Sequence, residues 1–143
     1  MHHVDGYDLM SAEEWGAMVS KVSKPLRLRA GQQVIECGCG AGAFLSSLVR
    51  LYPGVVVSGV DYSSSMVNKA SKGLDGRFVV GDIRDLHFLP EAAYDCVLSF
   101  GTLFYLDSVK DAKRAVREMV RLVKPGGVLM IGEVNDLAKK SMA

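Results

Sequence analysis

The chain has 143 residues, of which 49% are hydrophobic and 23% charged, and its formal net charge at pH 7 is +1. This composition is typical of one globular domain and excludes a disordered or fibrous chain. Its apolar runs are much shorter than the roughly 20 residues that cross a bilayer, so we expect no membrane span. The nearly neutral charge provides no general attraction to nucleic acid or to anionic lipid, so neither is expected as a partner.

The cysteine pattern and the first ten residues predict a cytoplasmic protein. Residues 1–10 contain no apolar run of the kind that a secretory signal requires. The cysteines are Cys37, Cys39 and Cys96, an odd number that favours reduced thiols over a disulfide framework. They also provide fewer than the four ligands of a structural zinc site, and no histidine lies near them, so no metal is expected.

Short β-branched runs alternate with longer stretches of helical period, which predicts βαβ units around a parallel sheet. The predicted elements, in chain order, are helix 12–22, strand 34–37, helix 43–51, strand 55–61, helix 64–72, strand 78–81, strand 94–100, helix 109–123, strand 128–133 and the start of a helix near residue 135. We see no linker or repeat, so we expect one domain, residues 1–143.

Helix 109–123 shows the clearest periodicity, with apolar residues at spacings of three and four and with Asp107, Ser108 and Asp111 at its start. The sequence K-P-G-G at 124–127 is expected to end it and to turn the chain into the last strand. Its opposite face carries basic residues, which we interpret as a solvated face rather than as a site for an acidic partner. These residues are Lys110, Arg114, Arg117, Arg121 and Lys124.

The most informative segment is a strand followed by Gly38, Gly40 and Gly42 and then by an apolar helix. Glycines allow the main chain to approach a ligand closely, and the free amides at the helix start can bind a carboxylate or phosphate. Asp61 lies 19 residues after Gly42, at the predicted end of the second strand, where a carboxylate can accept both hydroxyls of a ribose. The loop also satisfies the dinucleotide pattern G-x-G-x-x-G/A, so these features alone leave a nicotinamide cofactor open.

Three further segments distinguish the cofactor classes. Glu36 precedes the first glycine by two positions, residues 59–66 read G-V-D-Y-S-S-S-M, and Gly81, Asp82 and Ile83 close the third strand. Together with strand 94–100 and K-P-G-G, these segments resemble the ordered motifs of class I, Rossmann-like S-adenosylmethionine-dependent methyltransferases over residues 33–133. The resemblance implies a doubly wound parallel sheet of order 3-2-1-4-5 with helices on both faces. It also implies S-adenosylmethionine as cofactor and S-adenosylhomocysteine as product.

The resemblance further implies which residues contact the cofactor. The three glycines would lie along its methionine part, with Glu36 setting the loop and the contacts to the amine, and Asp61 would bind the ribose. Tyr62 and Met66 would line the adenine face, Asp82 would accept from the adenine amino group, and the amide of Ile83 would donate to a ring nitrogen. Phe100 and Gly101 would lie beside the transferred methyl group. The complete set of cofactor-binding candidates is Glu36, Gly38, Cys39, Gly40, Gly42, Asp61, Tyr62, Met66, Asp82, Ile83, Phe100 and Gly101.

The sequence assigns no catalytic residue. A sulfonium already carries a good leaving group, so a general base is not required in every such enzyme. Tyr105 and Glu133 are open between a substrate contact and a packing or capping role, and His87 is open between acid–base chemistry and a solvated loop.

The sequence departs from the family after the fifth strand. Family members of this type usually have seven strands, whereas only residues 134–143 follow that strand here. We therefore expect a domain that is incomplete at its C-terminus and a fifth strand at the edge of the sheet. An apolar edge strand requires a cover, and the candidates are the opening helix, a second copy of the chain in a homo-oligomer, or residues of a longer protein.

Three functions follow as hypotheses. The first is methyl transfer to oxygen or carbon of a small molecule. The fourth strand ends L-S-F-G rather than in the N/D-P-P-Y signature of many enzymes that methylate amino groups of bases or glutamine, which argues against that subclass, while methylation of protein side chains stays open. The second is an NAD-dependent oxidoreductase. The third is a non-catalytic partner subunit that retains the cofactor fold.

Overall fold

The computed structural model describes residues 10–132, which form a five-stranded parallel sheet with helices on both faces. The helices are α1 (Ala12–Ser23), α2 (Ala43–Leu51), α3 (Ser64–Gly73) and α4 (Val109–Leu122), with short 3-10 helices at Lys24–Leu26 and Leu103–Tyr105. The strands are β1 (Gln33–Cys37), β2 (Val56–Asp61), β3 (Gly76–Val80), β4 (Tyr94–Phe100) and β5 (Val123–Gly132). Their spatial order, β3-β2-β1-β4-β5, confirms the predicted topology.

Serine caps define where three of the four helices begin. Ser11, Ser63 and Ser108 each accept a hydrogen bond from the amide three residues later, which satisfies a donor that the first helical turn leaves unpaired. At Ser11 the side chain of Glu14 returns a bond to the serine amide and completes a capping box. The prediction that Ser108 starts the fourth long helix is confirmed.

The sheet separates two apolar clusters. On one face, Val34 of β1 packs with Val19 of α1, with Leu45 and Leu48 of α2, and with Ala70 of α3. On the other face, β1 and β4 pack against α4 through the side chains of Ile35, Val97, Ala115, Met119 and Leu122. Since β1 is covered on both faces, its near-continuous apolar sequence is the one expected of a central parallel strand.

The last strand begins earlier than its β-branched run indicates. It starts at Val123, opposite Tyr94, whereas Val128 is opposite Cys96, so the pairing shifts register across residues 124–127. The K-P-G-G segment is therefore an irregularity within β5, with Gly126 at φ +80°, rather than a turn that precedes the strand. Beyond this interruption, residues 128–132 pair with β4, and β5 is an edge of the described sheet. Predicted positions from residue 133 onward lie outside the described residues.

The structure corrects one interpretation of the basic face of α4. The sequence predicts that Arg121 is solvated, but its guanidinium donates to the carbonyl oxygens of Leu86 (2.7 Å) and Leu89 (3.0 Å) and pairs with Glu118. It therefore joins α4 to the segment that follows β3.

Among residues 10–132, no helix has the length and apolar character needed to span a membrane.

The three cysteines are free and buried. Cys37 belongs to the cluster on the α4 face, whereas Cys39 belongs to the cluster on the opposite face, so their side chains do not share one environment. Burial raises the pKa of each thiol to about 12, which keeps it protonated and unreactive at neutral pH.

Candidate functional site

A cavity of about 430 Å³ opens where β1, β2, β3 and β4 end. Its size falls within the range of small-molecule and cofactor pockets, and its position is the one at which open α/β sheets bind ligands. The lining residues are Gly38, Asp61, Tyr62, Gly81, Asp82, Ile83, Arg84, Thr102, Tyr105, Leu106 and Asp107.

The carboxylate of Asp61, at the end of β2, is held between the glycine loop and the start of α3. Its Oδ1 accepts the amide of Gly40 at 3.0 Å, and its Oδ2 accepts the amide of Ser63 at 3.0 Å. A carboxylate has about four acceptor positions, so further donors can be accommodated. The side chain is thereby fixed in orientation while it retains acceptors for a pair of hydroxyls.

The glycines of the loop differ in what surrounds them. A Cβ built on Gly40, where φ is +56°, would meet nothing within 4 Å, so the main chain is open to a ligand at this point. A Cβ built on Gly38 would lie 2.3 Å from Oγ1 of Thr102, so glycine is required there because Thr102 packs directly over it. The predicted reason for the glycines, close approach of a ligand to the backbone, therefore fits Gly40, whereas Gly38 accommodates a protein contact.

Glu36 lies beneath the loop and is only 2% exposed. Its Oε1 has no hydrogen-bond partner among the described residues, and burial, with a smaller contribution from the charge of Asp61, raises the pKa of the carboxyl well above its usual value. A buried polar atom without a hydrogen-bond partner is uncommon in folded proteins, and a ligand that binds to the atom is one explanation for it. The arrangement fits a cationic group such as an amine at the methionine end of the proposed cofactor.

Asp82, after β3, is paired with Arg84. Nε and a terminal nitrogen of Arg84 donate to the carboxylate, the latter at 2.6 Å, and the other terminal nitrogen contacts Asp111 of α4 at 3.1 Å. The hydrogen bonds from Arg84 lower the pKa of Asp82 and keep it ionised at neutral pH. Asp82 is thus an acceptor whose position depends on both its own loop and α4.

The structure brings five of the predicted residues to the cavity wall, namely Gly38, Asp61, Tyr62, Asp82 and Ile83. The others lie around it rather than in it. Phe100 packs against Phe44, with ring centroids 4.8 Å apart, and against Trp15 at 6.5 Å, within the cluster on the α1 and α2 face. Met66 is half-buried in the first turn of α3.

Of the three open candidates, Tyr105 lines the cavity and is half-exposed, whereas Glu133 lies outside the described residues. His87 contacts Asp85 at 2.8 Å in an exposed position and is not among the lining residues. Sequence reasoning missed Arg84 and Thr102. Thr102 directly follows Gly101 at the end of β4, so the rule that ligands bind at carboxyl ends of strands was a usable signal for it.

Fold and cavity together define an α/β domain with a cavity at the carboxyl ends of its parallel strands, lined by Gly38 of the glycine loop and by Asp61. The chain matches the family described as methyltransferase domain over residues 35–131. It is 30% identical over 123 residues to the ubiquinone/menaquinone biosynthesis C-methyltransferase of Bdellovibrio bacteriovorus, covering 80% of this chain and 51% of that protein.

Two solved structures are also similar. One is a complex between the Trm112 methyltransferase activator of Haloferax volcanii and a putative methyltransferase, with a TM-score of 0.69, 28% identity, and coverage of 80% of this chain and 50% of that one. The other is an amino pentose methyltransferase of Micromonospora echinaspora with bound S-adenosylmethionine, with a TM-score of 0.70, 26% identity, and coverage of 92% and 57%.

The chain therefore belongs to the class I S-adenosylmethionine-dependent methyltransferase family, and the predicted resemblance is confirmed. It spans about half the length of the relatives that it matches. The family's cofactor is S-adenosylmethionine, and the orphaned Glu36 oxygen, the open Gly40 backbone and the fixed Asp61 carboxylate fit that molecule.

Proposed function

We propose that this chain is one S-adenosylmethionine-binding domain, the cofactor portion of an enzyme that transfers a methyl group to oxygen or carbon of a small molecule. The observation that supports this most strongly is the carboxylate of Asp61, oriented by the amides of Gly40 and Ser63 at the wall of the cavity. Tyr62 and Asp82 line the same cavity, so ribose and adenine contacts can be made from neighbouring strands.

The role of the chain's own residues is to bind and orient. In this proposal Asp61 accepts the ribose hydroxyls, Glu36 and the glycine loop receive the methionine part, and Asp82 with the amide of Ile83 recognises the adenine edge. Gly101, at the end of β4, would lie beside the methyl group, whereas Phe100 packs against Phe44 and Trp15. The bound cofactor supplies a methyl group on a sulfonium sulfur, which leaves readily as a neutral thioether. Alignment of the nucleophile, the methyl group and the sulfur is therefore the main catalytic requirement.

The acceptor class is supported by two observations. The L-S-F-G end of β4 lacks the signature of many enzymes that methylate amino groups of bases or glutamine. The Bdellovibrio relative is a C-methyltransferase of quinone biosynthesis, which favours carbon of a small molecule as one target. No general base is assigned, although a nucleophile that must lose a proton would require one within hydrogen-bond reach.

The cellular setting is part of the proposal. Reduced, buried cysteines are consistent with the cytoplasm. The half-buried apolar residues of β5 at the sheet edge support a contact with a second copy of the chain or with further residues of a longer protein. Light scattering across a range of concentrations measures whether copies associate.

Membership of a methyltransferase family favours this function over an NAD-dependent oxidoreductase. The non-catalytic partner subunit of the sequence analysis is the second candidate. It predicts tight cofactor binding without methyl transfer even when the chain is part of a longer protein.

Isothermal titration calorimetry with S-adenosylhomocysteine and with NADH tests the proposal. We expect a saturable signal with S-adenosylhomocysteine and an affinity for NADH at least about tenfold weaker, because the chain belongs to a family whose cofactor is S-adenosylmethionine. A preference for NADH would exclude the methyltransferase function. Transfer of a labelled methyl group to a panel of phenols and quinols, with amines as controls, tests the acceptor class.

A further inference from the structure

The side chain of Thr102 forms a direct connection between the end of β4 and the glycine loop. Its Oγ1 donates a hydrogen bond to the carbonyl oxygen of Gly38 at 3.1 Å. The side chain also fills the space over Gly38, since a Cβ there would lie 2.3 Å from Oγ1 and 2.4 Å from Cγ2 of Thr102. Position 38 must therefore be glycine in order for Thr102 to occupy this place.

The two ends of this connection are themselves fixed by the sheet. The amide of Gly38 donates to the carbonyl of Val60 on β2 at 2.7 Å, so the first loop glycine is bonded toward β2 and toward β4. Gly101, the residue before Thr102, has φ +83° and donates to the carbonyl of Gly132 on β5 at 3.1 Å. The position of the loop that follows β1 therefore depends, through Thr102, on the positions of β4 and β5.

Thr102 and Gly38 both line the cavity, on the side where β1 and β4 end. The carboxylates of Asp61 and Asp82 approach the same cavity from the ends of β2 and β3. A substitution of Thr102 is therefore expected to displace the glycine loop, which is the part of the site proposed for the methionine group, more than the carboxylates of Asp61 and Asp82.

We propose that Thr102 is a positioning residue for the methionine end of the cofactor, and the inference rests on the function proposed above. The hydrogen bond from its hydroxyl to the carbonyl of Gly38 connects the glycine loop to the end of β4 and so fixes the main chain of the loop. The adenosine part of the ligand contacts other residues and is not positioned by this hydrogen bond.

Two variants separate the hydroxyl from the shape of the side chain. Thr102→Val keeps the branched shape and removes the donor, whereas Thr102→Ser keeps the donor and removes the methyl group. Each protein is titrated calorimetrically with S-adenosylhomocysteine and with 5′-methylthioadenosine, which lacks the amino acid part. We expect Thr102→Val to weaken S-adenosylhomocysteine about fivefold, as loss of one hydrogen bond implies, and to leave 5′-methylthioadenosine within about twofold. Thr102→Ser should bind both ligands as the wild type does.

The outcomes distinguish this inference from the proposed function. If the wild type does not bind S-adenosylhomocysteine, the proposed function fails and the inference fails with it. If the wild type binds, and Thr102→Val either keeps the wild-type affinity for both ligands or loses affinity for both by the same factor, the positioning role of Thr102 is refuted while the proposed function stands. Should Thr102→Val not fold, Thr102→Ala replaces it as a smaller variant without the donor, and the same selective loss is required of it.

Discussion

Replacing the Asp61 carboxylate by an amide should weaken cofactor binding by about two orders of magnitude. In Asp61→Asn, one of the two oxygens that accept the amides of Gly40 and Ser63 becomes an NH₂ group that faces a donor. The remaining oxygen can no longer form charge-assisted bonds to both ribose hydroxyls. Each such bond contributes about 1.5–3 kcal/mol. Loss of the charge-assisted bonds to the ribose hydroxyls should therefore reduce the binding free energy by about 3 kcal/mol, which corresponds to roughly a hundredfold increase in Kd.

Calorimetric titration with S-adenosylhomocysteine measures this effect, and thermal unfolding confirms that each variant is folded. Asp75→Asn is the matched control, because it makes the same change in charge at an exposed position just before β3. The control should bind as the wild type does. A Kd for Asp61→Asn within about threefold of the wild type would refute the assignment of this carboxylate to the ribose.

Three further changes test other parts of the structure. Glu36→Gln should increase the free energy of unfolding at neutral pH, because the raised pKa of Glu36 means that the wild type loses stability as pH rises above its unfolded-state value of about 4.3. Urea unfolding at a series of pH values measures this difference, which should vanish below about pH 4. Arg84→Gln should raise the pKa of Asp82 toward its ordinary value, as NMR titration can show, and should reduce stability at neutral pH but not in acid or at high salt. Met119→Ala, at a fully buried position of α4, should lower the free energy of unfolding by about 2–5 kcal/mol in urea.

Each result has a contrary outcome. Equal pH profiles for the wild type and Glu36→Gln would mean that Glu36 is ionised as easily in the folded chain as in the unfolded one. An unchanged pKa of Asp82 in Arg84→Gln would show that the ion pair does not persist in solution. A loss below about 1 kcal/mol in Met119→Ala would place α4 away from the sheet.

The fold was predictable because its signals are local. Beta-branched runs predicted the strands, and a serine before an amphipathic stretch predicted where helix α4 begins. The start of β5 was not predictable in this way. Val123 joins the strand through pairing with Tyr94, and the interruption at residues 124–127 can be recognised as part of the strand only when the partner strand is present.

The site was predictable to the extent that its motifs are contiguous. Asp61 and the glycines follow directly from their strands, and the structure places Asp61 and Gly38 at the cavity. Thr102 is 64 positions away from Gly38, and Arg84 is 27 positions away from Asp111, so these contacts depend on the packed sheet and on α4. The same separation explains why Arg121 was misjudged, since its acceptors are carbonyls of the segment after β3.

The proposed function depends on a ribose bound at the end of β2. A crystal structure of the chain with S-adenosylhomocysteine shows whether the ribose lies there. We expect both ribose hydroxyls within about 3 Å of the Asp61 carboxylate, with the amino acid part beside the glycine loop. Density for the nucleoside at any other position, with the cavity beside Asp61 empty of ligand, would contradict the proposed function.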